Sequence, residues 1–211
     1  MNEIKTVIWD FNGTLIDDAE AGILAVNDML TKRCQKPIDK VQYSAAVDTP
    51  IWKFYERVFA KGSITPEEAM VEFDTGYEKY LPENPLMEGA LEMLRYFDEK
   101  GINQLVVSAS HIDKVSARLK ELGLYHYFDR VLAHSDYKAG DKTYLAKEYL
   151  KEKGFAPENV IVIGDCVFDY TMAEGIGASC ILTTKGHQTR RELSETKALI
   201  VDSLTEIKNI I

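Results

Sequence analysis

The chain has 211 residues, 45% of them apolar and 28% charged, with a net charge of −9. That size suits one α/β domain with an insertion, or two small domains, and leaves ample material for a core. The acidic balance argues against a binder of nucleic acid or of anionic membranes, and no apolar stretch approaches the roughly 18 residues of a membrane span.

The N-terminus, MNEIKTVIWDF, has neither signal-peptide nor transit-peptide character. Cys34, Cys166 and Cys180 are far apart, odd in number and form no CxxC, as idle thiols in a reducing compartment would. A cytoplasmic protein is expected, as a monomer or homodimer.

In chain order, short Val- and Ile-rich runs predict strands at Ile4–Trp9, Gln104–Val107, Arg130–Ala133, Val160–Ile163, Cys180–Leu182 and Leu199–Val201. Runs of this length without polar alternation are strands buried on both faces. Between them lie amphipathic helices at Glu88–Lys100, Asp113–Leu122, Thr143–Lys153 and Phe168–Glu174, each ending near a glycine: Gly101, Gly123, Gly154 and Gly175. The alternation predicts an α/β fold with a parallel sheet covered by helices on both faces.

Residues 16–85 break that pattern. Three helices are predicted there, at Asp17–Leu30, Pro50–Ala60 and Thr65–Tyr80, and no strand. Thr65, Pro66 and Glu68 form a start signal for the last of them. The chain therefore divides into an α/β core, residues 1–15 and 86–211, and a helical cap, residues 16–85. Ligands of open parallel sheets bind beyond the C-terminal strand ends. An insertion leaving from that edge would cover such a site, with hinges near Ile16 and Pro85.

The chemistry-bearing residues follow strands. Asp10 ends the first, Ser108 follows QLVV, Lys142 opens the helix after the third, and IVIGDCVFD ends the fourth with Asp165 and Asp169. The set suits phosphoryl transfer. Asp10 can attack phosphorus and form an aspartyl-phosphate. Asp10 and Asp165 make a hard oxygen site of the kind that suits Mg2+. Backbone N–H groups of the Phe11–Gly13 turn, with the Ser108 hydroxyl and Ala109 beyond it, can hold phosphate oxygens. Lys142 can neutralise charge growing on the equatorial oxygens. Each of these residues alone has an ordinary structural explanation; their recurrence at successive strand ends does not.

With these segments, WDFNGT, LVVSAS, DKTY and IGDCVFD, the sequence resembles the haloacid dehalogenase-like hydrolase superfamily. The insertion is similar to the small helical cap of its phosphoglycolate phosphatase-like members. The resemblance implies a Rossmann-like core and a Mg2+-dependent phosphohydrolase acting on a small phosphate ester or anhydride. It implies that Asp10 is the nucleophile, and that Asp10, the Asn12 backbone carbonyl and Asp165 are metal ligands, with Asp169 supporting them. Lys142 and Lys138 both stand near the family's lysine position, and Lys142, at the helix start, is preferred. Gly164–Asp165 favours phosphate chemistry over carbon–halogen cleavage, because the family's dehalogenases lack that pair and need no metal.

Asn12 departs from the family pattern. An aspartate there protonates the leaving group and then deprotonates the attacking water, and asparagine can do neither. General acid–base catalysis is worth about 10²–10⁴-fold, or roughly 3–5 kcal/mol. The expectation is a slow phosphatase, or one selective for good leaving groups. The alternatives are a catalytically weak phosphate-binding or regulatory protein, and a phosphomutase or phosphotransferase. On the sequence alone, Asn12→Asp should speed alkyl-phosphate hydrolysis more than tenfold.

Specificity is expected from the cap. Lys53, Arg57 and Lys61 form a basic stripe at four-residue spacing, either solvated or gripping a second anionic group. Trp52 and Phe54 read as cap core. Lys185, His187, Arg190 and Arg191 form a basic patch after the fifth strand. His187 and His111 are minor candidates for a substitute proton carrier.

Overall fold

The computed structural model describes residues 3–135 and 142–211. Among them runs a six-stranded, all-parallel sheet: β1 (Thr6–Trp9), β2 (Asn103–His111), β3 (Arg130–His134), β4 (Val160–Gly164), β5 (Ser179–Thr183) and β6 (Leu199–Val201). The strand order is β3-β2-β1-β4-β5-β6. Strand β1 pairs with β2 on one side and β4 on the other, with Trp9 level with Val106 and Ile163. Sequence-adjacent connections reverse direction at β1, so its C-terminal end is the switch point where ligands of such sheets bind.

The strands are apolar throughout because both faces are covered. Val7 and Trp9 point into one layer, with Phe97 of α5 (Ala90–Glu99) and Leu119 of α6 (Ile112–Glu121). Ile8 points into the other, with Tyr149 of α7 (Thr143–Lys153) and Met172 of α8 (Val167–Ile176). Buried polar groups in this core are paired. The Trp9 indole donates to Gln104 Oε1 at 2.9 Å, and Gln104 Nε2 donates to the Leu94 carbonyl at 2.9 Å.

The helical cap follows β1 and contains α1 (Ala19–Lys32), α2 (Lys40–Ala46), α3 (Trp52–Val58) and α4 (Pro66–Tyr80). Its two crossings lie side by side: Asp17 N donates to Pro85 O at 2.7 Å and Met87 N to Leu15 O at 2.9 Å. Thr65 and Glu68 close a capping box at the start of α4. Helices α1 and α4 approach closely because Gly76 lies on Ala25, where a Cβ would come within 3.0 Å of the alanine methyl. The cap has its own core around Val26, Leu30, Tyr43 and Phe54, and truncating Phe54 to alanine should cost about 3–5 kcal/mol.

Several elements differ from the sequence-based expectations. Helix α2 is not among the predicted helices; Asp39 and Gln42 close a capping box that starts it. Strand β2 continues past Val107 to His111, with an irregularity after Ser108. The glycine ending α8 is Gly177, while Gly175 lies inside the helix against Thr143. Trp52 is 45% exposed and is not cap core, whereas Phe54 is buried. Among the described residues no helix is long and apolar enough to cross a membrane.

Candidate active site

Strand β1 ends at Trp9, and Asp10 follows with its N–H donating to Ile163 O of β4 at 2.9 Å. The side chain is thereby set at the sheet's C-terminal edge, 8% exposed. Lys142, the N-cap residue of α7, reaches across to hydrogen-bond Asp10 Oδ1 and lies 2.7 Å from Asp169 Oδ1. Lys138 lies outside the described residues.

Strand β4 ends at Gly164, and Asp165 follows, almost wholly buried. Its Oδ2 accepts the His187 backbone N–H at 2.7 Å, and its Oδ1 accepts the Thr14 hydroxyl at 3.2 Å. Asp169 lies in the first turn of α8. Its Oδ2 accepts the N–H groups of Asp165 and Cys166, both at 3.1 Å. Asp169 therefore fixes the backbone that carries Asp165. Gly13 and Gly186 face the Asp165 side chain so closely that a Cβ at either position would collide with it.

The electrostatics of this cluster follow from counting charges. One ammonium, Lys142, cannot neutralise Asp10, Asp165 and Asp169 together. Burial raises the Asp10 pKa to about 8; Lys142 opposes this, while Asp169 and Asp165 add to it. Burial raises Asp165 to about 6 against the pull of His187, with Asp169 adding to the rise. Lys142 is itself raised, because its carboxylate partners outweigh its burial, and it stays charged.

Asp165, Cys166 and Asp169 bring ligand atoms within 4.8 Å of one another. Burial and the neighbouring carboxylates push the Cys166 thiol well above its ordinary value, and its sulfur is a soft donor that a hard cation does not favour. Asp169 is occupied by backbone N–H groups and Lys142. Asp10 stands outside that group of ligand atoms, but Asp165 helps to raise its pKa, and the oxygen donors of Asp10 and Asp165 are of the hard type that suits a divalent cation such as Mg2+.

The Phe11–Gly13 turn is tightly bonded. The Phe11 ring is buried, and its carbonyl accepts the N–H groups of Leu15 and Ile16 at 2.9 and 3.0 Å. Gly13 takes φ +73°, a left-handed geometry that favours glycine. Its N–H already donates to Asp18 Oδ1 at 2.7 Å and Ile16 O at 2.9 Å, so a phosphate oxygen would compete for it. Ser108 is buried and its hydroxyl oxygen accepts Ser110 N–H at 3.1 Å; Ala109 is exposed at the strand end.

The Asn12 amide is held at both ends. Its Nδ2 donates to Asp18 Oδ2 at 2.5 Å and to Tyr77 Oη at 3.2 Å, and its Oδ1 accepts the Ser110 hydroxyl at 2.8 Å. Asp18, 1% exposed, also accepts the Tyr77 hydroxyl at 2.7 Å and lies 3.2 Å from His187 Nε2. Burial opposes ionisation of Asp18, but the charge and hydrogen bond of His187 and the Asn12 and Tyr77 bonds hold its pKa below the ordinary value. His187 is raised to about 9: burial opposes the charge, and Asp18 outweighs it. Its Nδ1 lies 3.2 Å from the Tyr43 hydroxyl.

Sequence reasoning missed Asp18, Tyr77, Tyr43 and Ser110 as parts of this network. Other candidates lie apart from it. Lys53 and Arg57 both pair with Asp48, and Arg190 pairs with Asp202 at 2.7 Å on the surface. His111 caps α6 by accepting Asp113 N–H at 3.3 Å.

Together, the covered parallel sheet, its helical cap and the acidic cluster at the switch point define a capped α/β protein with a Rossmann-like core. The chain belongs to the haloacid dehalogenase-like hydrolase family, whose profile matches residues 7–183, and it is a phosphatase of that family. It is similar to phosphoglycolate phosphatase of Pseudomonas fluorescens, at 22% identity over 95% of this chain and 77% of the relative. Phosphoglycolate phosphatase 1 of Pseudomonas aeruginosa is 24% identical over 96% of this chain and 78% of the relative. A haloacid dehalogenase-like family hydrolase from Streptococcus pneumoniae shares the fold, with a TM-score of 0.83, 19% identity and coverage of 100% and 99% of the two chains.

Proposed function

We propose that the protein is a Mg2+-dependent phosphohydrolase of a small phosphorylated metabolite, working through an aspartyl-phosphate on Asp10. The observation that carries this reading is the Asp10 carboxylate itself: it directly follows the central strand, is bonded to Lys142, and lies among buried acids with too little positive charge. Relatives named phosphoglycolate phosphatases make a small phosphorylated carboxylate the first ester to try.

In the first step an Asp10 oxygen forms a bond to phosphorus as the bond to the leaving oxygen breaks. Lys142 then balances charge on the transferring group. A cation held by Asp10, Asp165 and the Asn12 carbonyl would offset phosphate charge and return Asp10 to its ionised form. Asp169 keeps Asp165 and Lys142 in place. In the second step water attacks the phosphorus, the bond from Asp10 oxygen to phosphorus breaks to restore the carboxylate, and the water's protons stay on the released phosphate or pass to solvent. The Asn12 side chain gives no proton to the first step and takes none in the second. The leaving group must therefore depart as a stable anion or collect its proton from solvent, which makes acyl phosphates better substrates than alkyl phosphates.

His187 does not fill that gap. In its charged form both ring nitrogens are donors, one engaged by Asp18 and the other by Tyr43. It acts as a fixed cation. The helical unit between Leu15 and Met87 serves as the lid over this chemistry, and its crossings as the hinges.

A panel of p-nitrophenyl phosphate, acetyl phosphate, phosphoglycolate and sugar phosphates, with Mg2+ or EDTA, tests the reading. Release should need Mg2+, be fastest for acetyl phosphate, and vanish in Asp10→Asn. No Mg2+-dependent release from any of them would favour a phosphate-binding protein instead.

A further inference from the structure

We propose that Asp18 is a positioning residue that orients the Asn12 amide, and that its buried carboxylate is the reason position 12 carries asparagine. The proposal deepens the phosphohydrolase reading, and its kinetic test rests on that reading. Its stability test does not.

The geometry starts from a short contact. Asn12 Nδ2 and Asp18 Oδ2 are 2.5 Å apart. A carboxylate at position 12 would put two anionic oxygens at that separation, in a place where Asp18 is 1% exposed. Like charges so close and so dry cannot both persist. An amide solves the problem because it presents a donor to Asp18 while keeping an acceptor for Ser110 at 2.8 Å. The other contacts of Asp18 all require acceptors: Gly13 N–H at 2.7 Å, the Tyr77 hydroxyl at 2.7 Å and His187 Nε2 at 3.2 Å. Asp18 therefore fixes three things at once: the amide orientation of Asn12, the backbone of the turn after the nucleophile, and the docking of α4 through Tyr77.

The same partner list shows which change would accommodate an acid at position 12. In Asn12→Asp/Asp18→Asn, the amide placed at position 18 can accept from Gly13 and His187 through its carbonyl oxygen. Its NH2 group can donate to the carboxylate at position 12 and to the Tyr77 oxygen. That carboxylate can still accept from Ser110. The swap keeps one carboxylate and one amide across the contact with the polarity reversed. The single Asn12→Asp change keeps two carboxylates. The tenfold gain expected of Asn12→Asp from sequence alone is thus withheld from the single variant and granted to the swap.

The test is a double-variant cycle on the full chain: parent, Asn12→Asp, Asp18→Asn and the swap, each also carrying Asp10→Asn as a control. With Mg2+, alkyl-phosphate turnover should rise more than tenfold in the swap over either single variant, whereas acetyl-phosphate turnover should change by only a few fold. In EDTA at about pH 8, where no chemistry occurs, each single change should lower Tm and the swap should recover part of the summed loss. Two results would each overturn the proposal: Asn12→Asp alone matching the swap on alkyl phosphate, or Tm losses that simply add. Activity surviving Asp10→Asn would instead overturn the phosphohydrolase reading, and the EDTA cycle would still decide the role of Asp18.

Discussion

His187 carries its charge for structural reasons, and the sign of its pH dependence follows. Its folded pKa of about 9 stands above the ordinary 6.5. Its stabilising contribution is therefore complete below about pH 6.5 and disappears as pH rises through about 9. In EDTA, the Tm deficit of His187→Gln relative to the parent should be largest near pH 6 and shrink towards pH 9.5. A deficit that grew with pH would contradict the ion pair with Asp18. At this scale the sequence was half legible. Asp10, Lys142, Asp165 and Asp169 each follow or begin an element whose hydrophobic period reveals it. Asp18 bonds to residues 59 and 169 positions further on, Tyr77 and His187, and no local pattern encodes such a contact. A second acid two residues after the LI pair was visible as a residue; its burial was not.

Elements decide how the cap meets the core. On one side α4 and α6 carry complementary charges one turn apart: Lys114 lies 2.5 Å from Asp74, and Arg118 lies 2.9 Å from Glu78. On the other side α2 supplies Ser44, whose hydroxyl donates to Glu192 at 2.7 Å and accepts Thr189 N–H at 2.8 Å. The ionic side is solvent-facing, and such pairs contribute only about 0–1 kcal/mol each and are screened by salt. Arg118→Ala should therefore barely move Tm. If this pair helps hold the cap closed, KM should rise a few fold at low ionic strength, and that gap should close in about 0.5 M salt; an unchanged KM would remove the α4–α6 contact from the closure account. Helix α2 escaped sequence reading because seven residues give less than two turns of periodicity, and its clearest start signal is a capping box rather than an apolar stripe. The long amphipathic helices of the core were legible because burial on one side imposes a full 3.6-residue period.

For the whole molecule, the sheet order explains why the candidate residues fall along one edge, as their positions after strands suggested. Parallel strands all deliver their C-termini to one edge, so Asp10, Ser108 and Asp165 lie along it although 155 positions separate the first and last. What the sequence did not carry was the strand order itself and the packing of a separate helical layer onto that edge. Burial and the neighbouring Asp165 and Asp169 raise the Asp10 pKa, so relief of that crowding should be visible as stability. Mg2+ should raise Tm at pH 8, and Asp10→Asn in EDTA should raise it also, because either change reduces repulsion with Asp165 and Asp169; a lower Tm for Asp10→Asn would mean that its bond to Lys142 outweighs that repulsion. In the proposed reaction Asp10 takes the phosphoryl group. This step is tested most directly by acid-quenching a single turnover of radiolabelled acetyl phosphate with Mg2+ and mapping the labelled peptide. Label should appear on Asp10, with none in EDTA and none in Asp10→Asn. Undiminished phosphate release from Asp10→Asn, with no labelled peptide in the parent, would contradict it.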